Sequence, residues 1–159
     1  MYSRLLLPLD GSPTAFLALD HAEALARLSG ADVTLLHVIE PTRPSSGFAR
    51  PKVYTRDILP GFVATGQALL EDAANRLWLV GVRAQTVLLQ AWTDSAATHI
   101  VEQAEGADLI ILGTHGRRGV RRLLMGSDAE QVARTAPVPV MLVRQPQHGI
   151  TRTHVIANA

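Results

Sequence analysis

Cysteine is absent from the 159 residues of this chain, which excludes disulfide bridges, thiolate metal sites and a cysteine nucleophile. Lysine is almost absent too; Lys52 is the only one. Aromatic residues make up 4% of the chain, too few for the stacking platforms of single-stranded nucleic-acid binders. Neither charge sign is in excess. The formal net charge is +1, which argues against a generic polyanion binder. No apolar run comes near the roughly 18–20 residues of a membrane span. Leu5-Leu6-Leu7-Pro8-Leu9 is ended by Asp10 and does not read as a secretory leader, so the cytoplasm is the expected location. What the chain does have is 47% hydrophobic residues, enough for one compact domain with a sizeable core.

Short apolar runs alternate with segments of helical period. Leu5–Leu9 is continuously apolar, as expected of a strand buried on both faces. It ends in Asp10-Gly11-Ser12-Pro13, where Ser12 can cap a helix and Pro13 can take its first position. A helix follows over Thr14–Leu28, its apolar face drawn from Phe16, Leu17, Leu19, Ala22, Ala24, Leu25 and Leu28, with Gly30 as stop signal. Asp32–Ile39 is β-branched and apolar, a second strand. Glu40–Pro60 holds Pro41, Pro44, Pro51 and Pro60 and reads as a long irregular loop. A second helix fits Gly61–Val80 with Phe62, Ala68, Leu69, Ala73, Leu77 and Val80 inward. Val82–Gln90 is a third strand, Asp94 caps a helix running to about Glu105, and Ala107–Leu112 is a fourth strand. The Gly/Arg-rich segment Gly113–Met125 leads to a helix over Gly126–Thr135 and a fifth strand over Pro137–Val143. Its two prolines hint at a sheet edge. Residues 145–159 have no hydrophobic period and read as a mobile tail.

This order predicts an α/β fold: a single-domain, open five-stranded parallel sheet flanked by helices on both faces. In such sheets ligands bind beyond the carboxyl ends of the strands, where the strand order reverses. Asp10, Val38, Glu40 and the segment Gly113–Ser127 fall at those ends. That segment spells G-x2-G-x9-G-S, from Gly113 and Gly116 to Gly126-Ser127. Glycines without Cβ allow close backbone approach. A helix opening at Gly126-Ser127 offers N–H groups and a positive dipole end to a phosphate, and the Ser127 hydroxyl can add a hydrogen bond.

The layout resembles the ATP-binding branch of the universal stress protein family. The resemblance runs from Leu5 to Arg144 and includes LLLPLDGS, LLHV, ILGTHGRRG, the glycine motif and PVPVMLVR. It implies a Rossmann-like, adenine-nucleotide α-hydrolase-like domain over residues 1–144. It also implies an ATP site with Mg²⁺ or Mn²⁺ accompanying the phosphates. Asp10, with Pro8 beside it, would reach the ribose and adenine region, and the Val38 backbone the adenine edge. Leu112 and Gly113 would line the nucleoside, and Gly116 the phosphates. Gly126, Ser127 and the amides of Asp128 and Ala129 would hold the phosphate tail. Asp128 departs from the valine common in ATP-binding relatives; it suits a helix's first turn, and near phosphates it could repel them or help hold a cation. Relatives dimerise through the last strand, so a homodimer through Val138–Val143 is implied, the alternative being a tail folded over that edge. The implied role is a nucleotide-dependent stress-response or signalling module.

Other readings fail on residues. There is no G-x4-G-K-[ST] P-loop, and the turn after the first strand lacks the dinucleotide-binding G-x-G-x-x-G. The acceptor aspartate and lysine of a receiver domain are also missing, with Gln90-Ala91-Trp92 and Arg144 in their places. A slow ATPase or adenylate-transferring enzyme would have to use His115, with a metal held partly by Asp10 or Asp128. A third possibility is a nucleotide-free interaction protein. No catalytic residue and no metal site are assigned; His37 reads as packed and tautomer-locked, and Ser12 and Ser127 as caps. Arg117, Arg118, Arg121 and Arg122 form the dense basic cluster. They suit a solvated face or phosphate contact, while the low net charge and few aromatics oppose nucleic acid.

Overall fold

The computed structural model describes residues 2–40, 58–114 and 125–145. Five strands and four α-helices are present among them: β1 (Arg4–Pro8), α1 (Pro13–Ser29), β2 (Asp32–Ile39), α2 (Leu59–Leu79), β3 (Ala84–Gln90), α3 (Ala96–Gln103), β4 (Leu109–Gly113), α4 (Ser127–Thr135) and β5 (Val140–Val143). A single 3₁₀ turn, Ala104–Gly106, follows α3. All strand pairs are parallel, in the order β3-β2-β1-β4-β5.

The side-chain alternation of the strands sorts the core into two layers. Leu5, Leu7, Val33, Leu35, Leu109 and Ile111 face one way, onto α1 and α2. Leu6, Leu36, Ile110 and Leu112 face the other way, onto Ala97, Ile100, Ala129 and Val132 of α3 and α4. Leu5, Leu6 and Leu7 are all fully buried, each contributing about 1.5–3 kcal/mol of apolar burial. The outer strand β3 is half-buried to exposed along its length.

Several local expectations are met, and several are corrected. Ser12 caps α1, its Oγ accepting from the Ala15 amide at 3.2 Å, and Pro13 occupies the first turn. Gly30 closes the helix in the left-handed region at φ 74°, a conformation that costs glycine little. The inward face of α1 is the small-residue stripe Ala15, Ala18, Ala22 and Ala26 with the expected Leu19, and the expected Leu17 and Leu25 pack against the core half-buried. Leu28 is exposed, and so is Ala24; close packing of a helix on a sheet favours the side with the smallest side chains. In α2 the buried line is Leu59, Gly66, Leu70, Ala73 and Leu77, a three- and four-residue spacing, whereas Phe62, Ala68 and Val80 are exposed and Leu69 is half-buried. The helix begins at Leu59, so Pro60 sits in its first turn, where its missing N–H costs nothing. Residues 41–57 of the expected loop and 146–159 of the expected tail lie outside the described residues.

α3 is capped by Ser95, not Asp94: Ser95 Oγ accepts from the Thr98 amide at 3.3 Å, which begins the helix one residue later. α4 is capped by Gly126, so Ser127 is its first helical residue and not a cap. β5 starts at Val140; Pro137 and Pro139 precede it, and the Pro139 carbonyl accepts from the Ile110 amide at 3.0 Å. Proline has no N–H to donate but can accept.

The amino end of the sheet is tied by polar contacts. Asp108 accepts from the amides of Ser3 and Arg4 at 2.8 and 2.9 Å, and these two bonds hold its carboxyl below the usual carboxylate range. Arg76 of α2 bridges Asp20 and Glu23 of α1, which raises its guanidinium pKa further. No helix among the described residues is long and apolar enough to cross a membrane.

Candidate functional site

Strand order reverses between β1, which leads to β2 on one side, and β4, which lies on its other side. Helices α1 and α2 cover one face and α3 and α4 the other, so their ends splay apart at this reversal. A cleft of about 790 Å³ opens there, past the carboxyl ends of β1, β2 and β4. Its size lies within the range of small-ligand sites, about 300–1,000 Å³.

Nine of the ten expected binding residues line this cleft: Pro8, Asp10, Val38, Leu112, Gly113, Gly126, Ser127, Asp128 and Ala129. They come from four places far apart in the chain. Gly116, the tenth, lies outside the described residues, as do His115 and the arginines of residues 117–122.

The β1–α1 turn is fixed by its own hydrogen bonds. Asp10 Oδ1 accepts from the Ser12 amide at 2.9 Å, an Asx turn. The Leu9 amide donates to the Leu36 carbonyl at 2.7 Å, which ties the turn to β2. Glu40, at the end of β2, accepts from the Ala96 amide at 3.3 Å and so serves the start of α3. On the β4 side, the Gly126 amide donates to the Thr114 carbonyl at 2.8 Å and the Thr114 amide to the Val143 carbonyl at 2.9 Å. This chain of bonds places the first turn of α4 against the end of β4. Gly126 caps α4 without a side chain, so the cap supplies no side-chain acceptor to the first-turn amides.

Gly113 serves a close approach, but of the α1 backbone. Its φ is not positive, so backbone freedom does not explain it. A Cβ there would lie 2.8 Å from the Thr14 backbone carbon and 3.0 Å from the Ala15 nitrogen. Glycine is required because the start of α1 packs directly on the end of β4.

Sequence reasoning missed one wall of the cleft. Phe16 of α1 and Phe62, Thr65 and Leu69 of α2 line it, whereas helical periodicity places Phe16 and Phe62 in the core. The signal was present, because residues 62, 65 and 69 share a helical stripe and α2 begins at the carboxyl side of the sheet. His37 lines the cleft as well and is buried, its Nδ1 2.5 Å from the Leu9 carbonyl oxygen. That contact fixes the tautomer, as expected. The lining includes Asp10, Glu40 and Asp128 and no lysine or arginine among the described residues. No three His, Asp or Glu side chains among the described residues come together as metal ligands.

An open parallel sheet wound outward from β1, with a ligand-sized cleft at its reversal and a helix N-terminus on one wall, defines a Rossmann-like α/β domain. Comparison with known proteins narrows that class. Residues 1–144 match the model of the universal stress protein family, and the chain belongs to that family. It is 32% identical to the universal stress protein MJ0531 of Methanocaldococcus jannaschii, over 92% of this chain and 85% of that protein. MJ0577 of the same organism is 30% identical over 91% of this chain and 96% of its own length. Its solved structure superposes with a TM-score of 0.76, covering 92% of this chain and 99% of that one, at 27% identity. A universal stress protein from Archaeoglobus fulgidus, solved in complex with dAMP, shares the fold with a TM-score of 0.63 at 23% identity, covering 89% of this chain and 98% of that one.

Proposed function

We propose that this protein binds ATP, with Mg²⁺ or Mn²⁺ on its phosphates, and acts in the cytoplasm as a nucleotide-dependent stress-response module, not as a fast enzyme. The observation that carries the reading is the convergence of β1, β2, β4 and α4 on one cleft, which gathers nine residues named from the family resemblance. In this reading Asp10 and Pro8 meet the ribose, and the Val38 backbone offers its polar groups to the adenine edge. Gly126, Ser127 and the amides of Asp128 and Ala129 receive the phosphates at the positive end of α4. Gly116 would complete the phosphate loop.

The charge of the cleft supports a cation accompanying the nucleotide. A polyphosphate brought beside Asp10 and Asp128 meets like charge, and the described lining offers no lysine or arginine against it. A divalent ion on the phosphates offsets that repulsion. Universal stress proteins of the same fold have been solved with cAMP and with dAMP. They support an adenine nucleotide only through the shared fold, since both are 23% identical to this chain. Among the described residues β5 is an edge strand, with Met141 exposed; sheet edges recruit partners, and the same reading makes it the homodimer seam.

Isothermal titration calorimetry of nucleotide-stripped protein tests the reading. ATP with Mg²⁺ is expected to bind at one site per chain. Absence of any heat of binding, with the protein folded, overturns it.

A further inference from the structure

We infer that His37 is a positioning residue: it holds the β1–α1 turn so that Asp10 meets the ligand, without being a ligand contact itself. The inference rests on the nucleotide reading for its consequence, but on geometry for its substance. The Leu9 peptide is held on both sides by neighbouring β2 residues. Its amide donates to the Leu36 carbonyl at 2.7 Å, and its carbonyl accepts from His37 Nδ1 at 2.5 Å. The first bond extends the ladder between parallel strands. The second is a side-chain clamp at the point where the ladder ends, one residue before Asp10. Asp10 then bonds forward to the Ser12 amide. His37, Leu9, Asp10 and Ser12 thus form a continuous series of contacts from β2 to the cap of α1.

The surroundings are shaped to keep the ring in place. His37 is 7% exposed. Across from it stands Gly66 of α2, where an added Cβ would lie 2.7 Å from His37 Cδ2 and 2.9 Å from Leu88 Cδ1. A glycine inside a helix costs stability, and here its absent side chain leaves the room the imidazole occupies. Because Nδ1 carries the donated proton in both the Nδ1–H tautomer and the imidazolium, the clamp does not depend on the charge of the ring.

Four variants and two measurements test this. Amide hydrogen exchange on the ligand-free protein reads the clamp directly. His37→Leu should speed exchange of the Ser12 amide about tenfold and leave unchanged the Glu130 amide of α4, which is bonded to the Gly126 carbonyl. Equal acceleration at Glu130 would mean general loosening and overturn the inference. In calorimetry with ATP and Mg²⁺, His37→Leu should bind about tenfold more weakly. His37→Asn, whose amide N–H can replace the Nδ1–H donor, should recover affinity to within about threefold. The double variant Asp10→Asn with His37→Leu should bind no more weakly than Asp10→Asn alone, because both changes act through one carboxylate. Unchanged affinity and unchanged Ser12 exchange in His37→Leu overturn the inference, as does full additivity in the double variant. Should the wild-type protein bind no ATP, the nucleotide reading falls, and the exchange experiment still decides whether His37 holds the turn.

Discussion

Gly126→Val is expected to weaken ATP binding by at least about a hundredfold while the protein stays folded. Gly126 has φ −63° and ψ 148°, extended backbone open to any residue. Backbone strain therefore adds no cost to the fold, and the less favourable helix cap costs about 1 kcal/mol. A domain with a stability of roughly 5–15 kcal/mol tolerates that loss. A hundredfold weaker affinity corresponds to about 2.7 kcal/mol, more than the cap change can explain. The difference would come from branched bulk at a residue that lines the cleft and begins the helix proposed to receive the phosphates. Calorimetry and a thermal melt on the same sample separate the two effects. Wild-type affinity in Gly126→Val would remove this residue, and with it the α4 terminus, from the site.

Gly113→Ala is expected to act in the opposite manner, on stability first. The added methyl would sit 2.8 Å from one backbone atom of α1 and 3.0 Å from another. Backbone atoms in a packed helix do not swing aside as the end of a side chain does. Such overpacking costs about 1–3 kcal/mol, which for a chain of this size lowers the melting temperature by about 2–4 °C per kcal/mol. A calorimetric melt at neutral pH checks it. An unchanged melting temperature would show that α1 and β4 can separate without cost, contrary to the close contact between them. The two glycines of one motif thus carry different expectations: the proposed ligand contact at Gly126, and at Gly113 the packing that forms the cleft.

The strands and the cleft were legible in the sequence because they depend on local signals. β2 spans Asp32–Ile39 as read from its apolar run, and Ser12-Pro13 starts α1 as cap chemistry dictates. Asp10, Val38 and Gly126 meet in the cleft because a parallel sheet sends its carboxyl ends to one side. What was not legible depends on which face of a helix the rest of the protein selects. Periodicity in α1 fits either its large residues or its alanine stripe, and only the distance to the sheet decides for alanine. Phe62 has the right spacing for a core residue, yet it lies where the sheet has ended and the cleft has begun. The role of His37 was equally hidden: its partner is a backbone carbonyl 28 positions away, and no side-chain pattern marks that.

The most direct test of ATP binding in the carboxyl-end cleft is a ¹H–¹⁵N NMR titration of the folded, nucleotide-stripped protein with ATP and Mg²⁺. Amide shifts should concentrate at Asp10, Val38, Gly113, Ser127, Asp128 and Ala129. The opposite end of the sheet, marked by Gly30, Gly81 and Arg83, should stay still. Shifts confined to that opposite end, or no shifts with ATP in excess, would contradict it.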